Sequence, residues 1–171
     1  GEKTIHGNEP TQGTQIEAYF NKNSKIRTCY LLPTLLEGKK EEEEHSLLYR
    51  TTDNHWCDYG AYVAYKKMIQ DLAKDFPGMK ALNLEDIVEK DSLENGGNLA
   101  GMINMPDYFK EHVSEITIKH PQAQPDTSKR YTPPKDFGYP DQYERQFKNA
   151  DSQLPRALFI RDSFTDNLMP F

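Results

Sequence analysis

RALFIRDSFTDN, residues 156–167, sets how the rest of the chain is interpreted. Arg156-Ala157-Leu158-Phe159-Ile160 is a compact apolar run of β-prone residues, and the residues from Arg161 to Asn167 turn out of it toward a helix start. A serine directly after a buried-type strand and before a helix, here Ser163, stands where open α/β sheets build their sites, outside the carboxyl ends of strands. Ile26 to Leu32 is a second such run and predicts a buried strand closed by Pro33. Met79 to Leu84 predicts a short strand or extended entry with a turn after it at 84–88. His112 to His120, with Ile116 and Ile118 on one face, predicts another strand. Between these lie helical signals: Gln15 to Asn21 capped by Thr14, a longer run from Asp58 to Phe76, and a small turn from Asn98 to Ile103 after the Gly96-Gly97 break. In the long run Ala61, Tyr65, Met68, Ile69, Leu72 and Phe76 share one face, and Pro77-Gly78 stops it. Strands alternating with helices predict an α/β fold with a largely parallel sheet.

A length of 171 residues suits one domain spanning 1–171, enough to bury a core without staples. Residues 1–13 lack periodicity and read as a loose arm. Residues 121–149 carry Pro121, Pro125, Pro133, Pro134 and Pro140 among Tyr131, Phe137, Tyr139, Tyr143 and Phe147, and read as a structured excursion over the surface. The charge run Glu41 to Glu44 reads as a solvated face.

The formal charge of -6 and the pI near 5.4 give no electrostatic footprint for nucleic acid or an anionic membrane. No apolar run approaches the roughly 20 residues that span a bilayer. The N-terminus lacks the layout of a signal peptide, but Gly1 without a preceding Met looks like a cleavage scar, so this is silent on compartment. Cys29 and Cys57 match no zinc or redox spacing; ordinary thiols and an oxidised pair are both open. His45, His112 and His120 fit no ligand spacing, so no metal and no cofactor is expected.

The partner that Ser163 needs is in "TTDNHW", residues 51–56. A serine hydroxyl is a weak nucleophile until a base takes its proton, and the usual base is a histidine oriented by a carboxylate. Asp53 and His55 are two positions apart, so in a turn both side chains can point the same way, with Asp53 on one ring nitrogen and Ser163 facing the other. Backbone N–H groups at the helix start after Ser163 would meet a developing oxyanion. The same residues also suit plain structural work: Asp53 as an Asx turn, His55 as packing, Ser163 or Thr165 as an N-cap. A metal-dependent hydrolase using Asp53, His55 and Asp162 is a further reading.

Thr52-Asp53-Asn54-His55-Trp56 followed by Tyr59-Gly60-Ala61-Tyr62, then Asn98-Leu99-Ala100-Gly101-Met102, then Leu158-Phe159-Ile160-Arg161-Asp162-Ser163-Phe164, resembles in order and spacing the DHHW family, a bacterial SGNH-hydrolase-like group related to the alginate O-acetylation proteins. The resemblance covers residues 25–171. Asn54 takes the variable second position of the motif, and Arg161 stands where ordinary SGNH enzymes carry glycine. It implies a three-layer, flavodoxin-like α/β domain with a mostly parallel sheet. The family continues past its nucleophile through another helix and strand, so a C-terminally truncated form is implied, naturally short or a fragment. It also implies Asp53 as orienting acid, His55 as base, Ser163 as nucleophile, and export to the cell envelope, periplasmic or extracellular.

The activity so implied is that of a serine esterase or O-acetyltransferase moving an acetyl group onto or off a carbohydrate or polysaccharide, from a donor the sequence does not identify. Trp56, Arg161, Tyr131 and Tyr139 are candidate substrate contacts, with core packing the rival role for Trp56 and carboxylate pairing for Arg161. The alternative is a non-catalytic carbohydrate-binding or envelope-assembly module that keeps the fold.

Overall fold

A computed structural model of the protein describes residues 10–41, 47–150 and 153–171. His45 and most of the glutamate run lie outside the described residues, as do the first nine residues of the expected N-terminal arm. Helix α1 (Gln12–Asn23) begins earlier than the Thr14 cap predicted, because the Thr11 hydroxyl accepts from Thr14 N–H at 3.2 Å. Helices α2 (Leu32–Gly38) and α3 (Asp58–Leu72) follow, then strand β1 (Ile87–Asn95), the short helix α4 (Asn98–Met102) and strand β2 (Lys110–Ile118). Two three-residue strands, β3 (Ala123–Pro125) and β4 (Phe147–Asn149), and a 3-10 helix at Ser163–Leu168 complete the chain.

The expected three-layer domain with a mostly parallel sheet is overturned. The sheets of the described residues are two antiparallel pairs, β1 with β2 and β3 with β4. The two apolar runs that predicted parallel strands form no ladder. Residues 26–31 have no regular secondary structure and are held by side chains: Arg27 pairs with Asp75 at 2.5 and 2.9 Å, and the Tyr30 hydroxyl meets Thr11 Oγ1 at 3.0 Å. Pro33, read as closing a strand, instead opens α2, where its missing N–H costs nothing. Leu158 and Ile160, expected in a sheet interior, are 89% and 97% exposed. β-propensity reports fit to a half-buried pleated surface, and here no neighbouring strand supplies that surface.

The strand expected over His112 to His120 is β2, displaced by two residues, whereas β1 and the short β3 and β4 were not foreseen. The residues of β1, IVEKDSLEN, are mostly polar, and only Ile87 is buried. Polar cross-strand contacts with β2 hold it: the Ser114 hydroxyl donates to Glu89 at 2.6 Å, and His112 meets Asp91 at 2.6 Å.

The core gathers on the first half of α3. Tyr59, Tyr62 and Val63 pack with Leu35 of α2, with Leu48, and with Ile87 and Ile116 of the hairpin. On the other side Trp56, Ala61 and Ala64 pack with Phe164 and Leu168 of the final 3-10 helix and with Phe171 beyond it. Burial is complete around the first turns of α3 and fades toward its end, so Leu72 and Phe76, counted in the apolar stripe, are exposed. Gly60 is required by this packing: a Cβ there would fall on the backbone carbonyl of Leu48. Asp58 joins the halves, accepting from Ile116 N–H at 2.9 Å and from the Asn167 amide at 2.7 Å.

Candidate active site

The loop from Arg50 to His55 is closed at its neck by an antiparallel bridge between Tyr49 and Trp56, reinforced by Cys57 N–H donating to the Leu48 carbonyl at 2.8 Å. Glu111, at the start of β2, organises its interior. One carboxylate oxygen accepts from Thr51 N–H and Thr52 N–H at 2.7 and 3.2 Å. The other accepts from the Thr52 hydroxyl at 2.6 Å and from Nε and Nη2 of Arg50 at 3.2 and 3.1 Å. Burial alone would raise the Glu111 pKa, but the Thr52 hydroxyl, the two backbone N–H groups and Arg50 outweigh it and hold the carboxyl below its ordinary value.

Helix α4 docks on the same loop. Gly97 N–H donates to Thr52 Oγ1 at 2.8 Å, Leu99 and Ala100 N–H to the Thr52 carbonyl at 2.9 and 3.3 Å, and Asn98 N–H to Asp53 Oδ2 at 2.8 Å. The orphan donors at the helix start are thus spent on the loop. Gly97 permits the approach, since a Cβ there would fall on the Asp53 carboxylate.

Asp53 is thereby aimed. Its Oδ1 accepts from His55 N–H at 2.9 Å and meets His55 Nδ1 at 2.7 Å. Burial pushes its pKa up, but the N–H groups of Asn98 and His55 and the imidazole pull harder, so it lies below the usual carboxylate value and Asp53 is ionised at neutral pH. An ionised Asp53 assigns the proton to Nδ1 and leaves Nε2 as acceptor. Nε2 stands 2.8 Å from Ser163 Oγ, although the two residues are 108 positions apart. The acid is the least accessible member (side chain 9% exposed), the base intermediate (20%), and the serine is open to solvent.

The next residue, Phe164, anchors Ser163. The Trp56 indole N–H donates to the Phe164 carbonyl at 2.8 Å, and the Phe164 ring lies between His55 and Trp56 with centroids 5.0 and 5.5 Å away. Trp56 is therefore a buried clamp on the serine turn, with no face left for a sugar. Arg161 is likewise occupied: Nη1 pairs with Asp166 at 2.8 Å and donates to the Asp162 carbonyl at 3.2 Å. Tyr131 and Tyr139 are exposed but lie outside the lining of the cleft.

The expected oxyanion donors are only partly available. Asp162 caps the 3-10 helix by accepting Phe164 N–H at 3.0 Å, and Thr165 N–H goes to the Asp162 carbonyl. Ser163 N–H has no partner among the described residues. The open depression in front of the serine, about 1090 Å³, is lined by residues that include Arg50, Asn54, Glu94, Asn98 and Met102. Among the described residues no three His, Cys, Asp or Glu side chains converge as a metal site, and Asp162, the expected third ligand, is committed to Phe164. No helix of the described residues is long and apolar enough to cross a membrane. Both cysteines are free thiols, with burial the main cause raising each to about 11.

Sequence reasoning missed Glu111 and assigned no role to Thr52 and Asn98, although both stand at the head of motifs that carry the resemblance. Glu111 binds the loop best when ionised, so its contribution to stability is complete above the ordinary carboxylate value near pH 4 and is lost as pH falls through its lower folded value. Glu111→Gln is accordingly expected to unfold more easily at pH 7, by about 1–3 kcal/mol, with the gap to the parent closing toward about pH 2. Urea melts across that range check it; a gap that does not change with pH would contradict the ionised assignment.

Comparison with known proteins gives no match to any protein-family profile, any curated protein or any solved structure.

Proposed function

We propose that the chain is a serine acyl-transfer enzyme, an esterase or O-acetyltransferase, with Ser163 as nucleophile, His55 as general base and Asp53 as the group that orients it. The observation that carries this is the continuous relay of 2.7 Å from Asp53 to His55 Nδ1 and 2.8 Å from His55 Nε2 to Ser163 Oγ. Ser163 Oγ attacks the ester carbonyl carbon while its proton passes to Nε2. The tetrahedral intermediate collapses, the leaving alcohol takes that proton from Nε2, and acyl-Ser163 remains. Water or a second hydroxyl then attacks, loses its proton to Nε2, and releases the serine. Ser163 N–H is the oxyanion donor this chain offers from its own turn. Acetyl as the acyl group, a carbohydrate as the partner and the cell envelope as the place belong to the proposal through the resemblance to the DHHW family.

One observation favours the rival, non-catalytic carbohydrate-binding reading: Asp162 occupies the Phe164 N–H that would complete an oxyanion hole. Mass-spectrometric mapping of a fluorophosphonate probe separates the two. Ser163 is expected to be modified in the parent and left unmodified in His55→Ala. A folded protein that takes no probe would favour the binding module. The raised cysteine thiols keep background modification low.

A further inference from the structure

The cleft in front of Ser163 has one cationic lining residue among those described, and it is already neutralised. Arg50 gives Nη1 to Glu94 at 3.3 Å and Nη2 to Glu111 at 3.1 Å, and Nη2 also reaches the Asn95 carbonyl at 3.4 Å. No edge of the guanidinium is left for the bidentate grip that recognises a carboxylate. Lys110 is not among the residues that line the cleft; its ammonium donates to the Asn95 side chain, whose amide donates to Asp107 at 2.6 Å. The other charged groups facing the cleft, Asp53 and Glu94, are both acids.

What remains for a ligand is neutral. Asn54 and Asn98 bond each other at 3.3 Å and keep further amide donors and acceptors for hydroxyl groups. Beside them Gly101 opens onto empty space and Met102 is 78% exposed, together a flat apolar shelf. Amides next to a small apolar shelf suit a pyranose, which pairs hydroxyl edges with a C–H face.

We propose, resting on the acyl-transfer reading, that the cleft selects esters of uncharged, hydroxylated sugars and discriminates against sugars that bear a carboxylate. A uronate ring set over Asn54 and Asn98 meets the acids Asp53 and Glu94, with no unpaired cation among the described residues that line the cleft.

The test compares kcat/KM on three substrates: 4-nitrophenyl acetate, an O-acetylated neutral xylo-oligosaccharide, and an O-acetylated uronate oligosaccharide of matched length. The neutral glycan is expected to be preferred over the uronate by about tenfold or more at low salt, the ratio shrinking as salt screens the acids. Glu94→Gln, which releases one edge of Arg50, is expected to cut that ratio at least about threefold. Turnover of the small ester with equal or reversed glycan preference, or with neither glycan accepted, overturns the charge selection and leaves Ser163 chemistry standing. Absence of Ser163-dependent turnover on all three overturns the acyl-transfer reading and this inference with it.

Discussion

An Asp53→Asn variant is expected to lose about 10³- to 10⁴-fold in kcat on an activated acetate ester while remaining folded, the scale seen when the acid of a serine triad is made neutral. The carboxylate serves three donors at once: His55 N–H and Nδ1 at Oδ1, and Asn98 N–H at Oδ2. An asparagine offers one acceptor oxygen and an amide that donates. With the oxygen toward α4, the amide faces Nδ1, the imidazole takes the other tautomer, and Nε2–H points at Ser163 where an acceptor is needed. The base is then present but holds its proton in the wrong place. The measurement is a pH–rate profile with circular dichroism on the same samples. A folded variant within about threefold of the parent would remove Asp53 from the relay.

The second large effect is on stability. Trp56→Ala empties a buried site next to Ala61, Ala64 and Phe164 and is expected to cost about 3–5 kcal/mol, lowering the melting temperature by about 10 °C or more. Trp56→Phe keeps an aromatic ring in the site and removes the N–H that holds the Phe164 carbonyl at 2.8 Å, together with part of the indole's packing volume. It is expected to cost about 1–3 kcal/mol and to slow probe modification of Ser163 under conditions where the protein is fully folded. Modification at the parental rate would show that the indole N–H stabilises the turn without placing the serine.

Parts of this site were legible in the sequence because they are local. Asp53 and His55 lie in one turn, and the proximity of their side chains follows from their spacing. The helix over Asp58–Leu72 and the turn at Asn98–Met102 were legible too, the first through periodicity and the second through the paired glycines before it. The sheet was not, since an apolar run states that a residue can be buried and is silent on what will cover it. Leu158 and Ile160 carry the same signal as a core strand and stand in solvent. Glu111 was illegible for another reason. Strand β2 buries Glu111 and Val113 on one face and then Ser114 and Ile116 on the other, so no single alternation runs through it. A glutamate in such a strand reads as surface until the loop it serves is folded against it.

The residues from Arg156 to Ile160 make no ladder, so the serine is not built into a sheet; it rides on an arm whose seat is the Trp56–Phe164 contact, the Asp58–Asn167 hydrogen bond and the packing of Leu168 and Phe171. Assembly of the relay is then an intramolecular docking equilibrium, and the observed rate is the chemical rate multiplied by the seated fraction. Seating contacts worth a few kcal/mol keep that fraction near one, and removing about 1.4 kcal/mol from them multiplies the unseated population tenfold. Warming should therefore lower activity through unseating before the core around α3 melts, and a ligand that binds only the assembled cleft should shift that loss to higher temperature.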